Sequence, residues 1–286
     1  MKILLTGGSG LIGTRILETN KGHQFATPDL PDFDITDKDL VARTFQDYQP
    51  DIVFHLAAYT NTQAAQSSPD KSHAINVVGT SNVLEACQKV GSRVLFFSTD
   101  FVFDGVKGKY TELDVPNPIG EYAKHKKEAE NLVSQSGLDY LIIRTAYPYR
   151  AVYELKSDCV RWMLPKLASK EKLTLVDDQY LTPTFVDELV SSVYLLVDKK
   201  AEGIYHVTGS ECLSFLDMGK IVCEVWGFDK SLISGISLEE FNAKMDRVNV
   251  NPKNSCLSTD KLKKDFGLVL SDFRTGVSLM KKQLEV

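Results

Sequence analysis

Tyr122 and Lys126 stand four residues apart, the spacing that stacks two side chains on one face of a helix. An ammonium beside a phenol favours the phenolate and draws the tyrosine pKa toward a working range, so the pair can move a proton. Chance can supply a Tyr-x-x-x-Lys in a chain with eleven tyrosines, but this is the only instance. A third piece, Ser98-Thr99-Asp100, follows an apolar run at the point where a strand is expected to stop. Thr99 could instead cap a turn, and Asp100 could be a solvated loop acid.

The second group with chemistry in it is Gly7-x-x-Gly10-x-x-Gly13. A glycine turn between a strand and a helix lets the backbone approach a pyrophosphate, and the helix N-terminus presents N–H groups and partial positive charge. Gly13 lacks a Cβ, so the helix can pack closely on the strand. Two rival motifs fail. A P-loop needs Gly-Lys-Ser/Thr, but Thr14 and Arg15 follow Gly13; a nucleophile elbow needs glycine where Leu11 stands. The plain alternative is an ordinary strand–turn–helix connection.

Elements must hold these groups in place. Lys2–Thr6 reads as a buried strand and Leu11, Ile12, Ile16 and Leu17 as the start of a helix. Further strands are expected at 23–27, 51–56, 93–97 and 138–144. Helices are expected after a Thr36/Asp39 capping box, over 71–90, and from Pro118 to about Ser136. The alternation predicts an α/β, doubly wound parallel sheet with ligands at the strand C-terminal ends, where Gly7, Asp29, Ala57 and Thr99 fall. After Arg144 the pattern loosens: a Tyr-rich loop over 148–156, an amphipathic stretch over 158–170, strands near 172–176 and 204–208, and helices near 186–197 and 215–226. The expected division is a dinucleotide-binding domain over 1–150 and 170–200, and a smaller, interleaved substrate domain over 151–169 and 201–286.

Composition is that of an ordinary globular protein, 43% hydrophobic and 25% charged. A net charge of −5 gives no reason to expect nucleic acid or an acidic membrane. No apolar run has the length of a membrane span, and the glycines and Arg15 interrupt any signal-peptide core. The five cysteines are scattered without a C-x-x-C pair, which reads as reduced, cytoplasmic thiol usage.

Taken together, these features resemble the extended short-chain dehydrogenase/reductase superfamily and, within it, the dTDP-4-dehydrorhamnose reductase family. The pieces run nearly the length of the chain: 6–13, Asp34-Ile-Thr-Asp37, 50–60, Asn76-Val-Val-Gly-Thr80, 98–105, Tyr122–Lys126, Arg144-Thr145, Asp178-Gln179 with Pro183-Thr184, and Asn254-Ser255. The resemblance implies a Rossmann-type sheet and NADPH or NADH as cofactor. It implies cofactor contacts from Gly7, Ser9, Gly10, Leu11, Ile12, Gly13, Asp29, Asp34, Ile35, Leu56, Ala57, Ala58, Tyr59 and Ser98. Thr99, Tyr122 and Lys126 become the catalytic set, the last two also touching cofactor. Tyr122 would give a proton to the alkoxide formed as hydride reaches a sugar ketone. Asp100, Val102, Phe103 and Tyr147 fall on the side of the substrate, a sugar nucleotide, dTDP-linked by this likeness. A homodimer stays open, and no metal site is carried over.

Departures gather on the substrate side. Gln63 and Gln66 stand where the family has acids, Asn251-Pro252 where it has Arg-Pro, and Tyr147-Pro-Tyr-Arg150 replaces a glycine-rich loop. Asp29 could bind a ribose 2′-hydroxyl and favour NADH, although Thr27-Pro28 could displace it, so NADH and NADPH both stay open. Two other readings are an epimerase or dehydratase of the superfamily, and a non-catalytic binding protein similar to the regulatory subunit of methionine adenosyltransferase. Dehydratases place Asp-Glu after the Thr, whereas Phe101 follows Asp100 here.

Overall fold

Apolar runs and amphipathic runs alternate from the start of the chain, and they form alternating strands and helices in the computed structural model, which describes residues 1–248 and 250–285. Strand β1 (Lys2–Thr6) passes through the glycine turn into α1 (Leu11–Glu18). Then come β2 (Gln24–Ala26), α2 (Lys38–Tyr48) and β3 (Ile52–His55). The cap of α2 is Asp37, not Thr36: the Asp37 carboxylate accepts from the N–H groups of Asp39 and Leu40 at 3.1 and 3.0 Å. Thr36 instead donates its hydroxyl to Asp34 at 2.8 Å, closing a local Asx turn that competes with the expected box.

The long helix expected over 71–90 is broken. After α3 (Thr62–Ser67) come α4 (Pro69–His73), a π turn at Ala74–Val78, and α5 (Gly79–Val90). Strand β4 (Arg93–Thr99) continues past Phe97, so Ser98 and Thr99 are strand residues and Asp100 is the first beyond it. Helix α6 (Glu121–Gln135) starts after Gly120 rather than at Pro118, and β5 (Tyr140–Thr145) follows.

These strands and Gly203–His206 form one sheet in the order Gly203–His206, β5, β4, β3, β1, β2. Strand β1 pairs in parallel with β2 and β3, and β3 with β4. The fold is therefore a Rossmann-like parallel sheet flanked by helices. Strand order reverses at β1, because the chain steps outward to β2 and returns past β1 to β3. Leu4, Val53 and Phe96 from the sheet meet Val41, Val83 and Ala129 from the helices in one buried core.

The chain divides into two units. The first holds Met1–Val102, Pro116–Arg144 and Leu196–Tyr205; the second holds Phe103–Val115, Thr145–Leu195 and His206–Val286. Residues 103–115, 145–150 and 170–195 thus fall outside the unit expected from the sequence. One reason is strand pairing: Leu173–Val176 pairs in parallel with Ile233–Ile236 and not with the main sheet. The second unit has two more short pairs, Leu213–Ser214 with Tyr180–Leu181 and Pro148–Tyr149 with Thr184–Phe185. Its core is built on Tyr149, Met163, Phe185, Met218 and Phe273. Cys212 and Cys256, read from the sequence as reduced thiols, form a disulfide with Cα atoms 5.6 Å apart. Spacing along the chain does not reveal a pair that only folding brings together. Among the described residues no helix is long and apolar enough to cross a membrane.

Candidate active site

The glycine turn lies where strand order reverses, the usual ligand position of an open α/β sheet. Gly7 has φ +72°, and a Cβ there would stand 2.7 Å from the Ala57 nitrogen. A Cβ on Gly13 would stand 2.4 Å from the Gly7 carbonyl oxygen. At Gly10 a Cβ would meet only the Gly7 oxygen, at 3.2 Å. Gly7 and Gly13 are therefore required by the fold itself, whereas a Cβ at Gly10 meets one atom, which need give by only a few tenths of an ångström. A dinucleotide pyrophosphate fits such a cradle. Leu11 and Ile12 are half-buried in the first turn of α1, and Ser9 is exposed. The Asp29 carboxylate accepts from the Ser9 N–H at 2.9 Å and the Ser9 hydroxyl at 2.6 Å, which pins the turn to the end of β2.

A buried histidine fixes the other side of the reversal. His55 Nδ1 lies 2.8 Å from the Thr6 hydroxyl and Nε2 lies 3.0 Å from the Thr80 hydroxyl. Thr80 donates its proton to the Asn76 carbonyl, so it accepts from Nε2–H, and Nδ1 accepts from Thr6. Burial, with Lys126 adding to it, lowers the His55 pKa to about 3. The Ala57 N–H donates to the Thr6 hydroxyl at 3.3 Å. Asn76 holds Tyr59 by both backbone groups, at 2.8 and 3.1 Å. Leu56, Ala57, Ala58 and Tyr59 are all half-buried along this edge. Ile35 turns its side chain into the core, where it fills the space a Gly79 Cβ would occupy, while Asn82 holds its carbonyl at 3.0 Å.

At the end of β4, the Ser98 hydroxyl is buried with no hydrogen-bond partner among the described residues. Thr99 donates to Asp100 at 3.1 Å and accepts from the Phe101 N–H at 3.2 Å. Tyr122, on the first turn of α6, reaches Thr99 and feels the charge of Asp100. Burial and Asp100 raise its phenol pKa above the ordinary value, and the Thr99 hydrogen bond opposes them. This corrects the expectation of a phenol lowered by Lys126. The ammonium is turned elsewhere: Nζ donates to the Phe97 carbonyl at 2.7 Å and lies 3.9 Å from the centre of the Phe96 ring. Lys126 is 3% exposed, and burial lowers its pKa to about 7. The two side chains share a helix face as predicted, and their orientation comes from β4.

The residues expected to face substrate are mixed. Asp100 is buried at the end of β4, beside Thr99. Val102 and Phe103 are fully buried core side chains; Phe103 stacks on Tyr110 with ring centres 4.2 Å apart, and so packs its own unit. Tyr147 has φ +41°, rare for a bulky residue, and sets its ring edge-on to Phe215 at 5.4 Å. Sequence reasoning missed His55, a supporting role for Gln66, and the pair of Glu130 with Arg144. Gln66 accepts from the Glu121 N–H at 3.2 Å, capping the helix that carries Tyr122. The signal for Glu130 was available: it continues the Tyr122–Lys126 stripe by one turn.

Residues 1–286 match the family described as the RmlD substrate binding domain. The chain belongs to this family. It is similar to a dTDP-4-dehydrorhamnose reductase of Aggregatibacter actinomycetemcomitans, 29% identical over 99% of each chain. Its fold matches the solved structure of dTDP-4-dehydrorhamnose reductase from Bacillus anthracis in complex with NADP, with a TM-score of 0.92, 27% identity and 99% of each chain covered. A further relative is the methionine adenosyltransferase 2 subunit beta of Mus musculus, 26% identical over 96% of this chain and 86% of its own. The likeness seen in the motifs is thus a family relationship over the whole length.

Proposed function

We propose that the protein is an NADPH- or NADH-dependent reductase of a nucleotide-activated 4-keto sugar, with a dTDP-linked sugar as the substrate class. The observation that carries this reading is the group of buried Thr99 and Asp100 with half-buried Tyr122, and Lys126 one turn along α6. A phenol with a raised pKa keeps its proton at neutral pH and can give it to an oxygen that becomes strongly basic. Thr99 is placed to hydrogen-bond that oxygen. Lys126, one turn along α6 and bound to the Phe97 carbonyl, is the residue assigned here to the cofactor ribose.

The cradle of Gly7, Gly10 and Gly13, the edge formed by 56–59 and the unpartnered Ser98 hydroxyl fit a dinucleotide. The bound nicotinamide would supply the hydride. The chain's own residues orient, exclude water and provide the proton.

The test is Tyr122→Phe, which removes one oxygen and keeps the ring. Turnover with a 4-keto dTDP-sugar is expected to fall by about 10²–10⁴-fold, with dinucleotide affinity within a few-fold of wild type. The likeness to methionine adenosyltransferase 2 subunit beta supports a second reading, a non-catalytic binding protein. That reading takes first place if wild type binds dinucleotide, reduces no 4-keto sugar nucleotide offered, and behaves as Tyr122→Phe does.

A further inference from the structure

Strand β2 ends at Ala26, opposite Leu4 of β1, so the chain leaving it runs beside the glycine turn. Thr27 stands against Gly8, where a Cβ would meet the Thr27 Cβ at 3.4 Å. Thr27 and Pro28 therefore do not displace Asp29 from the turn. Its Oδ2 accepts from the Ser9 N–H at 2.9 Å and the Ser9 hydroxyl at 2.6 Å, and its Oδ1 accepts from the Leu30 N–H at 3.0 Å. A carboxylate offers about four acceptor positions. These three bonds fix the plane of the group and leave one position open, on Oδ1. The neighbouring acids are engaged locally. Asp34 takes the N–H and the hydroxyl of Thr36, both at 2.8 Å, and Asp37 caps α2. The stretch 22–37 holds four aspartates and no lysine or arginine. Of the flanking bases, Lys21 is exposed before the opposite end of β2, Arg15 is paired with Glu18 at 3.0 Å, and Lys38 with Glu85 at 2.7 Å.

We propose that Asp29, locked to the turn by Ser9, makes this site selective for NADH over NADPH, its open acceptor position taking the 2′-hydroxyl of the adenosine ribose. This rests on the dinucleotide site of the reading above and not on its sugar substrate. An acid at the end of the second strand of such a sheet is suited to that hydroxyl. The sequence leaves NADH and NADPH both open, and the lock decides between them. A 2′-hydroxyl has a proton to donate to the open position. A 2′-phosphate has none to give at neutral pH, carries close to two negative charges, and needs donors of its own. On this side of the turn the Ser9 N–H and hydroxyl, the donors a phosphate would call on, are both bound to Asp29. A loose aspartate could turn away and admit the phosphate. Asp29 would first have to break its bonds to Ser9 and Leu30, and no cation of the 22–37 stretch would offset the two anions left side by side.

The experiment measures dissociation constants for NADH and NADPH by fluorescence titration, without sugar, for wild type, Asp29→Asn and Asp32→Asn. Wild type is expected to bind NADH about 10²-fold more tightly than NADPH, the order of a like-charge clash in a binding site. Asp29→Asn keeps the shape of the side chain and an oxygen for Ser9 to donate to, and removes the charge. Its preference is expected to shrink to within about tenfold, by a gain for NADPH and a loss for NADH. Asp32→Asn takes one charge from the same stretch and is expected to leave the ratio where it was, which separates a positioned acid from a general negative field. The ratio compares two ligands on one protein, so a variant that folds less well lowers both affinities and leaves the ratio readable. Equal affinities in wild type, an unchanged ratio in Asp29→Asn, or an equal shift in Asp32→Asn each overturns the proposal. If wild type prefers NADH but reduces no sugar nucleotide, the reductase reading alone fails and the selectivity stands. If it binds neither dinucleotide, the cofactor site fails and the selectivity with it.

Discussion

The reversal point of the sheet and the segments of the second unit solve the same problem by different means. At the reversal point, β1 and β3 come together by close backbone approach: the Gly7 turn touches 56–57, and the Gly13 turn of α1 touches the carbonyls of Gly7 and Gly8. One polar bridge, Thr6–His55–Thr80, ties strand to strand to helix. In the second unit, segments far apart in the chain are fastened by side chains. The Cys212–Cys256 bond joins the approach to Leu213–Ser214 with the segment beside Tyr180. Gly105 and Gly108 sit at positive φ against Pro252, Lys253 and Asn254. Asp158 gathers Arg150, Val160 and Arg161 into a closed turn. The first arrangement rests on one short glycine motif, and the second on several separate contacts.

The largest effect is expected from Gly13. Gly13→Val is expected to abolish both dinucleotide binding and the cooperative fold, because any Cβ there stands 2.4 Å from a carbonyl oxygen. Gly10→Val is expected to keep the melting temperature within a few degrees and still lose dinucleotide binding, since its Cβ meets only one atom at 3.2 Å. Circular dichroism melts beside cofactor fluorescence titrations separate the two. Equal effects would mean that the turn's glycines do not divide into fold and ligand roles.

A smaller effect is expected from the second region. The Cys212–Cys256 link spans 44 residues, and a chain-entropy treatment gives its loss roughly 4 kcal/mol. Cys212→Ser is expected to lower the unfolding free energy by that order, read as a fall in the denaturant midpoint, and dithiothreitol to do the same to wild type and nothing further to the variant. Dinucleotide affinity, carried by residues of the first unit, is expected to hold. An unchanged midpoint would show that this region stands without its fastening.

The smallest effect concerns His55 and depends on pH. Its native pKa is about 3 and its unfolded value near 6.5, so between these values the unfolded chain binds the extra proton. Stability is therefore complete above about pH 6.5 and declines as pH falls toward 3. His55→Gln removes this dependence while retaining polar atoms near Thr6 and Thr80. It is expected to cost about 1–3 kcal/mol at neutral pH and to flatten the stability curve between pH 6 and 4. Urea titrations at several pH values read both. A slope as steep as that of wild type would assign the acid sensitivity elsewhere.

These contrasts also explain what the sequence made legible. The strands β1 to β5, the glycine turn and the shared face of Tyr122 and Lys126 all follow from spacing, since each depends on residues a few places apart. The stop of β4 was misplaced, because Ser98 and Thr99 look like turn residues until a neighbouring strand continues the ladder. The direction of the Tyr122 shift was misread for a related reason: helical spacing puts Lys126 on the right face, but only β4 shows that its ammonium points to Phe97. Phe103 looked like a substrate contact beside Asp100, and its stacking on Tyr110 could not be foreseen from its neighbours. The disulfide, the Glu130–Arg144 pair and the Gln66 cap all join elements that periodicity treats separately.

The π turn at Ala74–Val78 has its own bearing on how this chain can vary. A π turn carries extra backbone relative to an α turn, and one residue of an α-helix corresponds to about 100° of rotation. The segment therefore works as a phase shift between two helical registers. Upstream, the register presents Ser72 to His125. Within the turn, Asn76 serves the backbone of Tyr59. Downstream, it presents Gly79, Thr80 and Asn82 to Ile35, His55 and the Ile35 carbonyl. Removing one residue from the turn would make the spiral even, yet no single rotation of the helix could serve both sets of partners. Insertions and deletions are thus barred from this stretch.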